Sequence, residues 1–424
     1  MIKYPNRRSQ FSWNCTQIGL AIFPLLPALG AVALGLALLI TWLQQYRTII
    51  RCPLNQGFAL LSVLLIISAA FAYNKTAAFL GLFNFLPFFI LFAGFSALIQ
   101  TPAHLRRLSW IIVINSLPVV ILGLGQLFLG WTTSKQWESI FGWSIAPGGN
   151  PVGRMSSALI YANILGGYLA IVFILGLGLW LEAYRKFRAA ESKKRSNLYL
   201  LILLTITVIG DFAGLILTNS RNAWAIALIA CLVYALYQGW RILVNAVIGV
   251  GVTVLLAAFA PSPIAELFRK IVPAFFWARL NDQMYPDRPV VLMRSTQWEF
   301  AWSMTQQRPM TGWGLRNFTI LYLEKMQIWL GHPHNFFLML SAEAGLPATI
   351  LFCGFLGWIL ITAIQWLRES IDVDALDKLI FFSYLLSFGG WIIFNTVDVT
   401  LFDFRLNVFS WLLLSAIWGV GSRE

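Results

Sequence analysis

Runs of apolar residues long enough to cross a lipid bilayer recur along almost the whole chain, and they leave few folds open to it. A helix needs about 20 such residues to cross about 30 Å of hydrocarbon. By that measure candidate spans lie at 12–28, 30–45, 57–73, 76–99, 108–130, 156–181, 197–218, 223–239, 242–260, 335–365, 378–397 and 404–420. The expected fold is all-α: a polytopic integral membrane protein with about twelve transmembrane helices, because only helices and closed barrels satisfy their backbone in lipid. The chain is 59% hydrophobic and 11% charged, against about 45–50% apolar in a soluble domain. No water-soluble fold of 424 residues hides that much apolar surface.

Charge sets the expected topology. The net charge of +13 does not mark a nucleic-acid partner, because the Lys and Arg residues fall mainly in short segments between apolar runs. Arg47 and Arg51, His104 to Arg107, the basic 184–195 stretch and Arg368 all face the cytoplasm only if 12–45 crosses twice, despite Pro24, Pro27 and Gly30 within it. Both termini are then cytoplasmic. A cysteine at residue 190 is expected to resist an impermeant thiol reagent and one at 285 to react. Lys3, Arg7 and Arg8 resemble the basic start of a signal peptide, but the segment after them leads into further spans and reads as an uncleaved anchor. Cys15, Cys52, Cys231 and Cys353 are scattered and suggest neither disulfides nor a metal knuckle.

The chain divides into N-terminal spans over 1–260, one large extracytoplasmic loop over 261–334, and C-terminal spans over 335–424. The loop breaks the charge rule with Arg269, Lys270, Arg279, Arg288, Arg294, Arg308, Arg316 and Lys325, against Glu266, Asp282, Asp287, Glu299 and Glu324. Long loops are partly exempt from that rule, so the bland reading is a solvated domain and the sharper one an anion site. Within it, 291–306 reads as a helix with Arg294, Trp298, Trp302 and Thr305 on one face. A second, over 315–330, puts Phe318, Tyr322, Met326 and Trp329 on one face and reads as lying along the membrane surface.

Arg221 sits in Thr218-Asn-Ser-Arg-Asn222, a turn with almost no loop between two spans. Its guanidinium either snorkels to headgroups or clamps a phosphate at the membrane boundary. Arg154, just before the 156–181 span, poses the same choice. Gly331-His-Pro-His-Asn335 leads into the next span, with Asn335 as a helix cap. A cap does not require two histidines. A zinc site at His332 and His334 lacks a third ligand nearby in sequence, whereas a histidine at a helix start suits a general base. Glu343 is half a turn out of phase with His334 and reads as a packing or hydrogen-bonding residue. Asp211 is either a proton-coupling group or a partner for a neighbouring helix.

The pattern resembles the O-antigen ligase and polymerase superfamily of bacterial envelope glycosyltransferases. The resemblance rests on Thr218-x-Ser220-Arg221, on Arg294 followed by Trp298, Ala301, Pro309, Gly312-x-Gly314 and Phe318, and on His334-Asn335 with Glu343-Ala-Gly345-Leu346. Asn222 and Ser156-Ser157 depart from it where glycine is frequent in the family. The resemblance implies an inverting, metal-independent glycosyltransferase of the bacterial inner membrane, without a cofactor. It would move a glycan from a polyprenyl-diphosphate carrier to a lipid or glycan acceptor hydroxyl on the extracytoplasmic face. His334, Arg221 and Arg294 are then the expected catalytic residues, and Arg154, Arg308, Arg316, His332 and Asn335 the expected substrate-binding ones. An inorganic-carbon transporter is the alternative within the same resemblance, with Asp211 as its one supporting residue. No internal repeat is apparent, and only the first span pair looks broken, unlike an inverted-repeat transporter.

Overall fold

The computed structural model describes residues 7–189, 195–281, 283 and 289–422. Lys3, Asp282, Asp287, Arg288 and positions 190 and 285 lie outside these residues, as do the side chains of Arg7, Arg8 and Arg279. All regular structure among the described residues is helical. The N-terminal helices are α1 (Arg7–Ile22), α2 (Pro27–Arg51), α3 (Pro53–Ala70), α4 (Lys75–Gly81), α5 (Leu86–Leu98), α6 (Pro102–Ile114), α7 (Ser116–Phe128) and α8 (Lys135–Phe141). They are followed by α9 (Ala162–Ala189), α10 (Arg195–Leu217), α11 (Arg221–Gln238), α12 (Arg241–Phe259), α13 (Ser262–Arg269), α14 (Ala274–Leu280), α15 (Arg294–Gln307) and α16 (Asn317–Met326). The last three are α17 (Phe336–Glu369), α18 (Ala375–Asn395) and α19 (Phe404–Gly421).

Each expected span falls on helix, and 12–45 forms a hairpin of α1 and α2. The turn is tight because Gly30 lets α2 close on Phe23, whose Cα lies 2.8 Å from where a Cβ on Gly30 would stand. Counting broken helices as single runs, ten helices among the described residues are long and apolar enough to cross a membrane by length and composition. Sequence reading gave about twelve; α1 and α11 fall outside the ten. Three more of the expected spans are broken: 76–99 at the 3₁₀ turn Leu82–Asn84, 108–130 at Asn115, and 335–365 at Gly345.

α9 and α19 are the central pillars, with 83% and 89% of their apolar windows buried, whereas 11% of the α12 window is buried and that helix lies at the periphery. One end of the bundle gathers the turns near 24, 71, 156, 218, 334 and 398. Arg405 donates to the carbonyls of Ala158 (2.7 Å) and Pro24, Arg154 Nε to Thr218 O (2.8 Å), and Arg308 to Phe71 O (3.2 Å). At the opposite end Arg106 bridges Glu182 and Asp377, which ties α6, α9 and α18 together.

The segment between α12 and α17 folds onto the first end. α16 buries Phe318 and Tyr322 fully against Phe300 of α15 and Ala342 of α17. The part of the face carried by Phe318 and Tyr322 is therefore protein core, while Trp329, beyond the end of α16, is exposed; this corrects the expectation of a helix lying along the membrane surface on that whole face. α15 likewise buries Gln297, Phe300, Ala301, Met304 and Thr305 and leaves Trp302 exposed, so its inner face is rotated from the one read by spacing.

The glycine motifs hold this segment in place. Trp313 N–H donates to Ala342 O (3.0 Å), Gly314 N–H to Glu343 O (2.8 Å) and Leu346 N–H to Pro309 O (2.7 Å). Gly345, at φ 81° and ψ 166°, opens α17 to receive these bonds. Glu343 is a hydrogen-bonding residue: its Oε1 accepts from Phe318 N–H at 3.0 Å. A Cβ on Gly312, itself at φ +66°, would lie 2.4 Å from the Glu343 carbonyl. Gly312→Ala is expected to destabilise the fold by about 1–3 kcal/mol, from a strained backbone and overpacking together. A lower melting temperature in detergent would register it, and an unchanged one would mean that the loop docks elsewhere.

Candidate active site

His334 stands one residue before the cap of α17, where Asn335 Oδ1 accepts from Leu338 N–H at 3.0 Å. Its φ of +52° places it in the left-handed region, which costs a residue with a Cβ about 1–2 kcal/mol. Pro333 and a side-chain bond hold it there: His334 N–H donates to His332 Nδ1 at 3.2 Å. With Nδ1 accepting, neutral His332 carries its proton on Nε2, which faces Asp398 Oδ1 at 3.8 Å.

Asp398, in the turn between α18 and α19, is the residue that organises this site. Its Oδ1 lies 3.1 Å from His334 Nδ1 and accepts Val399 N–H at 2.9 Å. Its Oδ2 accepts from Asn163 Nδ2 at 2.8 Å, and Asn163 Oδ1 accepts from the Arg154 guanidinium. Burial pushes the Asp398 carboxyl up, but its hydrogen bond to His334, its electrostatic interaction with both imidazoles as they protonate and the Val399 N–H outweigh it and hold the group below the usual carboxylate range. An ionised carboxylate only accepts, so in the neutral His334 ring the proton sits on Nδ1 and Nε2 presents a lone pair. That is the arrangement of a carboxylate-oriented general base.

Burial pushes His332 down to about 4, with Asp398 opposing and His334 and Arg294 adding to the depression. His332 is thus neutral at physiological pH, and Arg294, the first residue of α15, is near enough for its charge to act on that ring.

Arg221 begins α11. The preceding turn is pinned by Ser220 N–H to Thr218 Oγ1 (3.3 Å), and Arg154 grips the Thr218 carbonyl three residues before Arg221. Gly166 of α9 brings that helix against the turn, since a Cβ there would sit 3.0 Å from Ser220 Cβ. One face of α9 thus joins the Arg221 turn to Asn163 and, through it, to Asp398 and His334.

Of the expected site residues, Arg154, His332 and His334 join one network about Asp398. Arg294 stands beside it, Arg221 borders it through Thr218, and Asn335 caps the helix behind it. Arg308 is placed at the α3–α4 junction and Arg316 at the C-terminal end of α4. Arg308 stacks on the Trp313 ring at 4.1 Å and donates to Phe71 O, while Arg316, at φ +63°, packs beside Gly81.

Sequence reading missed Asp398 and Asn163. An acidic residue in a short link between apolar spans is a signal in itself, but the basic loop drew attention first. Asp398 also supplies what the zinc reading lacked, a third ligand: atoms of His332, His334 and Asp398 all lie within 4.8 Å of one another. A cation there would have to displace the His334–Asp398 hydrogen bond.

Fold and site together define a polytopic membrane protein with a histidine–carboxylate pair and several arginines gathered at one end of its bundle. The family model described as O-antigen ligase matches residues 206–353, a stretch that holds Arg221, Arg294, His334 and the glycine motifs, and it supports the O-antigen ligase and polymerase superfamily. The comparison with curated proteins finds no match. The match lends no support to an inorganic-carbon transporter, and Asp211 is fully buried within α10.

Proposed function

We infer that this chain transfers a glycan from a polyprenyl-diphosphate carrier to an acceptor hydroxyl at the extracytoplasmic face of the bacterial inner membrane. The observation that supports this most is the unbroken line of hydrogen bonds from Arg154 through Asn163 and Asp398 to His334, which sets a base beside guanidinium groups at the membrane boundary. His334 Nε2 takes the proton of the acceptor hydroxyl, whose oxygen attacks the anomeric carbon. The bond from that carbon to the phosphate oxygen breaks, and its electron pair leaves with the diphosphate. Arg221 and Arg294 stabilise the charge that grows there, with Arg154 holding the Arg221 turn. Direct displacement inverts the anomeric carbon. No step calls for a metal or a cofactor, and the acceptor is a lipid-borne or glycan hydroxyl.

A reconstituted assay with a polyprenyl-diphosphate-linked glycan tests the reaction through the anomeric configuration of the product; retained configuration would sink direct displacement. The side of the membrane is tested separately in a cysteine-free background. Val152→Cys, in the exposed loop before α9, is expected to react with an impermeant thiol reagent in intact cells. Asp372→Cys, between α17 and α18, is expected to be protected, both termini being cytoplasmic. Reversed labelling would put the site on the cytoplasmic side.

A further inference from the structure

The side chains that orient the base also make a ligand set. His334 Nδ1 and His332 Nε2 lie 3.1 and 3.8 Å from Asp398 Oδ1, and one ligand atom from each of the three residues falls within 4.8 Å of the others. Ligands held about 2.0–2.1 Å from a tetrahedral zinc ion stand about 3.4 Å apart, so closing the set asks for movements on the order of 1 Å. The side chains of His332 and His334 are 21% and 23% exposed, which gives an ion a way in and a place for water as its fourth ligand. Asn163 Nδ2 and the Val399 N–H hold the carboxylate from behind, the outer support that metal-binding carboxylates ordinarily have. Two imidazoles with one carboxylate suit zinc and its transition-metal neighbours, whereas magnesium and calcium prefer oxygen ligands throughout.

Occupancy by a metal and action as a base exclude each other. A metal takes the lone pair of the nitrogen it binds, so a neutral His334 ligating through Nδ1 carries its ring proton on Nε2. That is the nitrogen which must receive the proton of the acceptor hydroxyl. The ion also takes the carboxylate that orients the ring. His332, ligating through Nε2, must likewise move its proton to Nδ1 and release the His334 N–H. Binding therefore exchanges two hydrogen bonds for three metal–ligand bonds, and Arg294, whose charge reaches the His332 ring, opposes the ion. These costs suit an ion that comes and goes rather than a structural one.

On the reading of His334 as the general base, the geometry points to a reversible inhibitory site for zinc or a related divalent transition metal, held by His332, His334 and Asp398. The ion switches the base off by moving its proton to the wrong nitrogen.

The test uses the full chain reconstituted in vesicles, with Zn²⁺ alone as the probe. Equilibrium dialysis is expected to find a single saturable Zn²⁺ per chain, and X-ray absorption to find imidazole nitrogens and a carboxylate oxygen around it. His332→Ala, His334→Ala and Asp398→Asn, at unchanged melting temperature, are each expected to weaken binding about tenfold or more, since even the partners of metal ligands contribute that much. The sequence has one other histidine, His104 on α6, which serves as the control for binding elsewhere. Wild-type glycan transfer is expected to fall about tenfold when free Zn²⁺ stands about tenfold above its Kd. It should recover on chelation, and whatever transfer His332→Ala retains should resist the same zinc. No saturable binding, binding unchanged in all three variants, or a saturated site that leaves transfer unslowed would overturn the proposal. So would transfer that zinc speeds or a chelator abolishes, because the ion would then take part in the reaction. A wild-type chain that binds zinc through these side chains but transfers no glycan with or without it would leave the metal site standing and overturn the transferase reading alone.

Discussion

Replacing His334 with alanine is expected to lower glycan transfer by about 10²–10⁴-fold, the usual contribution of a general base, at matched expression and with donor binding retained. Asp398→Asn is expected to fall nearly as far, because an amide neither holds the Nδ1–H tautomer nor balances the charge that His334 acquires. The double substitution should cost little more than the worse single one, since the pair acts as a unit. His332→Ala is expected to cost less: it removes the acceptor of the His334 N–H but leaves the His334–Asp398 bond. The measurement is single-turnover transfer in a reconstituted system. Equal loss at both histidines, with inhibition by a chelator, would favour a cation held by the three side chains; wild-type transfer by His334→Ala would remove histidine from the mechanism.

Arg221→Lys is expected to impair transfer nearly as severely as Arg221→Ala. An ammonium is a point charge, whereas the planar guanidinium meets two phosphate oxygens at once, and loss of a donor aimed at growing charge costs about 10²–10³-fold. Membrane insertion should survive both changes, because the turn is held by Thr218, Ser220 and Arg154. Transfer largely kept by the lysine variant would make Arg221 a lipid anchor or a distant charge.

The two sets of residues differ in how far the sequence announces them. The spans are legible because twenty apolar residues have one use in a bilayer. Arg221 and the histidine pair are legible because a cation or imidazole at a hydrocarbon boundary is costly without a purpose. Asp398 is not: its role depends on His334, 64 positions away, and on Asn163, 235 positions away. The break at Gly345 is hidden in an apolar run, because a glycine there reads equally as helix until its φ of 81° is known. The apolar face of α16 has the same periodicity whether it meets lipid or Phe300, so burial in the protein had to be seen. Arg308 shows the opposite limit, a cation in a basic loop whose visible contacts are an indole ring and a backbone carbonyl.

Asp398 lies in the turn that precedes the last helix, and this has a consequence for biogenesis. Its partners Asn163 and His334 are made and threaded into the membrane long before it. Until α18 and α19 enter, His334 has no carboxylate to orient it and α9 lacks its packing against α18. Under the proposed function, a chain whose α18 and α19 have not yet entered the membrane lacks an oriented base. Insertion of the α18–α19 hairpin packs α18 on α9 and sets Asp398 beside His334 in one event, so under the proposed function a half-inserted chain is expected not to consume lipid carriers.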